Sequence, residues 1–225
     1  MPSARRLPTN KAYFGDESMT ETEGVIKFDL QYQASAPEPG NALDELLQWR
    51  DVFFRLGIIG QDPARYDGLA FGNISCRSSG NQFIISGSQT GGLLHCKSEH
   101  YSIVDSCDVQ TNRVVAHGPV APSSESLTHG AIYVLNERIR CVVHGHAPSI
   151  WRKARALGLP ATPRDVPYGT PQMAHAIAAL YREQGQPRQA LFAMLGHEDG
   201  VIAYGEGFAA IESMFIQTAH QAALA

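Results

Sequence analysis

The chain has 225 residues, a formal charge of −4 and 44% hydrophobic residues, enough for one domain of ordinary size with a substantial core. The slight acidity and the scattered Lys and Arg speak against a nucleic-acid binder, which would carry a basic face. No apolar run nears the ~18 residues that span a bilayer, and no apolar segment follows Arg5 and Arg6 as a secretory signal would require, so a cytoplasmic protein is expected.

Residues 1–40 differ in composition from the rest. They mix Pro, Ser, Glu, Thr and Gly and end in Ala34-Ser-Ala-Pro-Glu-Pro-Gly40. This reads as an arm, either partly disordered or contacting another subunit, with a short strand around Val25–Leu30. The domain proper is expected over 41–225. Asn41 can cap a helix that carries Leu43, Leu46, Leu47, Val52, Phe53 and Leu56 on one side and stops at Gly57. After a loop over 60–70, Ile74–Arg77 and Gln82–Ser86 read as strands of a hairpin turned at Ser78-Ser-Gly-Asn81. A glycine-rich loop, Gly87-Ser-Gln-Thr-Gly-Gly92, follows. A second strand pair fits Tyr101–Cys107 and Arg113–Val115.

A helix is predicted from Ser123-Ser124-Glu125 to about Asn136, after Pro122. A buried strand, Ile139–Val143, leads into His144-Gly145-His146. Helices fit Ser149–Leu157, Met173–Gln184 and Glu206–Ala223. Strands fit Leu191–Leu195 and Val201–Tyr204, on either side of Gly196-His-Glu-Asp-Gly200. Antiparallel strand pairs with helices between them imply an α/β fold with a sheet covered by helices on both faces.

Four groups of residues can carry chemistry. His144 and His146 are two apart on a strand, so both imidazoles share a face and form a ready pair of metal ligands. Glu125 opens a helix beside two serines. Its surroundings fit either an anion site at free backbone N–H groups or an ordinary capping arrangement. His129, one helical turn later, either orients Glu125 or packs. His197, Glu198 or Asp199 can complete a metal site with the histidine pair, or they form a charged turn. Gly72 and Asn73 with Ser86, Gly87, Ser88, Thr90 and Gly91 offer close backbone approach and hydroxyl donors to an anion. The spacing matches neither the Walker nor the dinucleotide fingerprint. The four cysteines, Cys76, Cys96, Cys107 and Cys141, form no Cys-x-x-Cys pair, which fits reduced thiols rather than a zinc knuckle.

Taken in order, these markers resemble the class II aldolase/adducin family. They are Gly72-Asn73-Ile74-Ser75 with Arg77, the loop Ser86–Gly91, Ser123-Ser124-Glu125, His144-Gly145-His146, and Asp199-Gly200-Val201-Ile202-Ala203 with Gly205. The likeness runs from about Leu43 to Phe215. It implies a central, mainly antiparallel sheet between helix layers and a homo-oligomer, commonly a tetramer. It also implies a divalent metal, commonly zinc, on His144, His146 and a later histidine. Glu125 takes the place of the acid/base, and Gly72, Asn73, Ser86, Gly87, Thr90, Gly91, Ser123 and Ser124 fall in the phosphate-holding regions.

The implied reaction is cleavage of a small hydroxy-carbonyl compound, such as a sugar phosphate, through a metal-stabilised enediolate. A dehydratase, a decarboxylase or a non-catalytic adducin-like binding module are the alternatives on the same scaffold. The chain departs from the family in two places. Where the family has its third histidine directly before Gly200, this chain has Asp199, with His197 two residues earlier. Imidazole at 197 suits zinc, whereas Asp199 would favour Mn²⁺ or Mg²⁺. The glycine-rich stretch with a tyrosine proton donor is missing after Pro160, which leaves Tyr168 as the candidate substitute. Glu125 itself speaks against the epimerases, which tend to carry Asp there.

Overall fold

A computed structural model describes residues 23–37 and 40–225. In chain order the strands are β1 (Asp29–Ala34), β2 (Gly60–Gln61), β3 (Ala70–Phe71), β4 (Asn73–Arg77), β5 (Phe83–Ser86), β6 (Tyr101–Asp108), β7 (Arg113–Gly118), β8 (Cys141–His146), β9 (Ala190–Ala193) and β10 (Gly200–Gly205). The helices are α1 (Asn41–Arg55), α2 (Ser126–Tyr133), α3 (Pro148–Lys153), α4 (Pro171–Glu183) and α5 (Phe208–Leu224). Eight strands form one sheet in the order β1-β7-β6-β5-β4-β8-β10-β9. Every neighbouring pair is antiparallel except β1 with β7, which is parallel. The expected mainly antiparallel sheet between helix layers is therefore the observed architecture.

Period-2 alternation divides the core into two layers. Val142 and Ile202 face one side, with Leu127 and Ile132 of α2 and Met173 and Ile177 of α4. Val143, Val201 and Ala203 face the other, with Leu46 and Phe53 of α1, Ile150 of α3 and Ile211 and Phe215 of α5. Each of these fully buried Val, Leu, Ile, Phe and Met side chains contributes roughly 1.5–3 kcal/mol relative to exposure. The same alternation places His144 and His146 on the α2–α4 face, because they continue the register of Val142. Helix α2, with Glu125 just before its first residue, lies over that face.

Several boundaries differ from the sequence reading. Helix α1 begins at Asn41 with Gly40 in the cap position, so Asn41 is its first residue and not its cap. It ends as expected, where Gly57 has a positive φ of 70°. Helices α2 and α3 are shorter than predicted, and strand β8 runs through both histidines instead of stopping before them. Of the 1–40 arm, residues 1–22, 38 and 39 lie outside the described residues. The part that is described packs firmly. Phe28 is buried, and β1 adds to the sheet edge beside β7. The strand expected at Val25 starts at Asp29, since Val25 gives its backbone N–H to the Tyr168 hydroxyl instead.

Candidate metal centre and cleft

The two histidines of β8 are aimed by their neighbours on both faces. Gly145 between them has no side chain because the backbone of Ile58 crosses there. A Cβ at 145 would lie 2.7 Å from the Ile58 carbonyl oxygen, and His146 N–H donates to that oxygen at 2.9 Å. His144 Nδ1 lies 3.0 Å from the Val201 carbonyl oxygen on β10. His146 sits edge-on to Tyr66, with ring centroids 4.5 Å apart, and beside Phe71 at 5.1 Å. Both imidazoles are fully buried. Burial, reinforced by the neighbouring imidazole of His197, holds both well below the usual histidine range, so they are neutral. Neither His144 Nε2 nor either nitrogen of His146 has a hydrogen-bond partner among the described residues.

The β9–β10 turn brings in His197. His197 N–H bonds to the Met194 carbonyl and Gly200 N–H to the His197 carbonyl, closing a compact loop. The His197 ring lies 4.9 Å from His144 and 4.7 Å from His146, centroid to centroid. Asp199 points elsewhere. One of its oxygens accepts from the Tyr66 hydroxyl at 2.8 Å and from Arg65 at 3.1 Å. Of the two positions left open by the sequence, the loop therefore presents His197 to the histidine pair and commits Asp199 to Tyr66 and Arg65. Glu198, the third residue of that turn, is not part of the cluster either.

A fourth side chain joins from the N-terminal segment. Glu23 Oε2 lies 2.8 Å from His197 Nε2 and 3.7 Å from His146 Nε2. One ligand atom from each of Glu23, His144, His146 and His197 falls within 4.8 Å of the others. That spread is slightly wider than the ~4 Å across a coordination sphere with bonds of about 2 Å. Three imidazoles, two of them neutral and with unpartnered nitrogens, and one carboxylate form a donor set that suits a divalent transition metal such as zinc.

Glu125 stands at the start of α2, fully buried, with one oxygen 3.8 Å from His197 Nδ1. Burial pushes its carboxyl up to about 7, against the opposing pull of His197. Beside it runs a cleft lined by Gly72, Asn73, Gly87, Gly91, Ser123 and Ser124, six of the eight expected anion-holding residues, together with Ser88 and Gln89. The other two are spent on the backbone. Ser86 Oγ accepts from Ile74 N–H at 3.2 Å, and Thr90 Oγ1 donates to the Gly87 carbonyl at 2.8 Å. Both therefore shape the loop.

Tyr168 is buried and its ring stacks on His197 at 4.5 Å, while its hydroxyl accepts from Val25 N–H at 2.9 Å. It is beside the cluster, ring first. His129 does not orient the Glu125 carboxylate. Its Nδ1 is 2.7 Å from Ser75 Oγ, which is itself 2.8 Å from the Tyr133 hydroxyl. This is the packing alternative.

Four contributors, Glu23, Tyr66, Arg65 and Arg50, left little or no signal in the sequence. Glu23 is one acidic residue in a segment without periodicity. Tyr66 and Arg65 lie in a loop whose positive φ at Tyr66 and Asp67 (51° and 54°) no glycine announces. Arg50 is buried on α1 and donates to the carbonyls of Thr90 at 3.2 Å and Gly91 at 2.8 Å, bracing the glycine-rich loop. Its place within an otherwise apolar helix stripe was the one available hint.

The sequence profile of the family described as Class II Aldolase and Adducin N-terminal domain matches residues 63–224. Among solved structures, an L-fuculose 1-phosphate aldolase superimposes with a TM-score of 0.60 and 18% identity, over 84% of this chain and 87% of that one. YgbL from Klebsiella pneumoniae, for which aldolase, epimerase and decarboxylase are named as candidate activities, gives 0.55 and 19% over 81% and 87%. A sugar-phosphate aldolase from Thermotoga maritima gives 0.57 and 12% over 78% and 90%. At such identities the likeness shows the fold. No curated protein matches the chain.

Proposed function

The chain belongs to the class II aldolase and adducin family, and on that scaffold we propose that it is a metal-dependent carbon–carbon lyase acting on a small hydroxy-carbonyl compound. The observation that carries this reading is the convergence of His144, His146 and His197 beside the buried carboxyl of Glu125. A scaffold protein has no physical need for three buried imidazoles facing one another.

In this reading His144, His146 and His197 hold the ion, most simply Zn²⁺, which supplies Lewis-acid stabilisation of negative charge developing on a substrate oxygen. Glu125 moves the proton. Its burial keeps the carboxyl near the midpoint of titration at neutral pH, where one group can both give and take. Asn73, Ser123 and Ser124, with the glycine backbones of 72, 87 and 91, seat the anionic end of the substrate, whether phosphate or carboxylate. Tyr168 holds the His197 ring in place by stacking. A homotetramer in the cytoplasm completes the proposal, supported by the family's habit. Among the described residues no helix is long and apolar enough to cross a membrane.

The test is elemental mass spectrometry of protein purified without chelator, followed by a retro-aldol panel of hydroxy-carbonyl compounds run against dehydration and decarboxylation panels. About one divalent ion per chain with retro-aldol turnover supports the lyase. Turnover only in the other panels moves the assignment to a dehydratase or decarboxylase. No metal uptake overturns the enzyme reading.

A further inference from the structure

Building on the proposed metal site, we propose that Glu23 is a fourth metal ligand, supplied by the segment that precedes the family domain, and that it occupies the position a substrate must take. The matched family region begins at residue 63. That region alone presents three imidazoles. A catalytic metal site keeps a coordination position open beside its protein ligands, whereas a structural site is closed. Glu23 fills the opening with an oxygen 2.8 Å from one imidazole nitrogen and 3.7 Å from another.

The placement of Glu23 is fixed by the residues that follow it. Gly24 turns the chain with a positive φ of 76° and packs against the Gln89 side chain. Val25 N–H bonds to the Tyr168 hydroxyl, and the Lys27 ammonium stands 3.5 Å over the Tyr168 ring. Asn112 Nδ2 donates to the Lys27 carbonyl at 3.0 Å, Phe28 is buried, and β1 then pairs with β7. A strap anchored in this way delivers its carboxylate to a defined point.

The same strap walls one side of the cleft. Glu23 and Gly24 are part of its wall, and the remaining volume is about 10 Å³, roughly what a single water needs. On this proposal a hydroxy-carbonyl compound of several heavy atoms reaches the histidines as Glu23 withdraws. Binding is then an exchange of ligands. The carboxylate leaves, and the paired oxygens of the substrate take its place without any covalent bond being broken.

Cobalt substitution of the full chain tests this independently of turnover. The visible Co²⁺ bands report ligand number and geometry. Wild type, Glu23→Gln and Glu23→Ala are compared for these bands, for Co²⁺ affinity against a competing chelator, and for affinity towards acetohydroxamate, a small bidentate oxygen ligand. In both variants the bands shift and Co²⁺ affinity falls at least about tenfold, since outer partners of a ligand are already worth roughly 10- to 100-fold. Acetohydroxamate binds them about tenfold or more tightly than wild type, because it displaces nothing. Glu23→Asp, whose oxygens are withdrawn by one carbon, falls between.

Superimposable bands in wild type and variants overturn the proposal even if affinity drops, because Glu23 then only positions His197. Equal acetohydroxamate affinity overturns the exchange. Absence of Co²⁺ uptake by wild type overturns the metal site itself and Glu23 with it. Uptake that His144→Ala abolishes, with bands indifferent to Glu23, leaves the metal site standing and removes Glu23 alone.

Discussion

His144 Nδ1 and the carbonyl oxygen of Val201 are 3.0 Å apart across the β8–β10 pair. A carbonyl only accepts, so Nδ1 carries the proton, and Nε2 turns its lone pair towards His146 and His197. A hydrogen bond of this kind fixes both the tautomer and the orientation of a metal-binding imidazole. Strand β10 therefore acts twice. Its Val201 carbonyl sets His144, and the turn that precedes it carries His197. Any shift of that turn moves two donors together.

The first prediction concerns metal retention. His144→Ala and His197→Ala each lose the ion, with affinity falling by at least about two orders of magnitude, because a direct ligand is worth no less than its outer partners. Asp199→Asn keeps it, since its carboxylate is bonded to Tyr66 and Arg65 and not to the cluster. Metal content per chain after gel filtration decides the matter. Loss in Asp199→Asn with retention in His197→Ala would reverse the assignment of the third ligand.

Glu125→Gln separates chemistry from metal binding. The amide is nearly the same size but cannot exchange a proton, so turnover falls by roughly 10²- to 10⁴-fold. Metal content stays near the wild-type value, because Glu125 stands 3.8 Å from His197 and outside the four-residue cluster. Turnover unchanged from wild type would remove Glu125 from the reaction.

How much of this was legible depends on what kind of pattern each part leaves. His144 and His146 sit two apart at the end of an apolar strand, and Val142 and Val143 face opposite layers, so the strand and its chemical face could both be read. Ser123-Ser124-Glu125 marked a helix start, and its local pattern fitted an anion site and an ordinary cap equally. The choice between His197 and Asp199 was not legible, because it is made by Tyr66 and Arg65, more than 130 residues away in sequence. Glu23 reaches His197 across 174 residues, from a segment whose composition resembles a linker. A short strand in that segment was legible, but the bounds of β1 and its parallel place at the sheet edge were not. Its start is set by side-chain and backbone contacts to Tyr168 and Asn112, not by alternation.

Acid sensitivity gives the third prediction. Burial holds the His129 imidazole down to about 3, against 6.5 for an exposed histidine. The unfolded chain therefore binds the extra proton first. Stability from this residue is fully present above about pH 6.5 and is lost as pH falls towards 3, with a slope of at most ~1.4 kcal/mol per pH unit. Urea unfolding of metal-free wild type and His129→Gln at pH 4.5, 5.5 and 6.5 isolates the effect as a difference in slope. Parallel lines would mean that His129 is not held neutral in the fold.

Arg50 ties the cleft to the far helix layer, and this gives the fourth prediction. Its guanidinium is buried on α1, lies over the Phe54 ring with its central carbon 4.6 Å from the centroid, and donates to the carbonyls of Thr90 and Gly91. Gly91 has no room to move. A Cβ there would meet the Phe71 carbonyl at 2.6 Å, so the loop is clamped between α1 and β3. Arg50→Met keeps the apolar stem but leaves those carbonyls unpaired, at a cost on the order of 3 kcal/mol, read as a lower urea midpoint. The metal cluster lies on the opposite face of the sheet from α1 and retains its ion, while substrate affinity falls because Gly91 lines the cleft. A variant with full stability and weakened metal binding would place Arg50 in the metal centre instead of the loop brace.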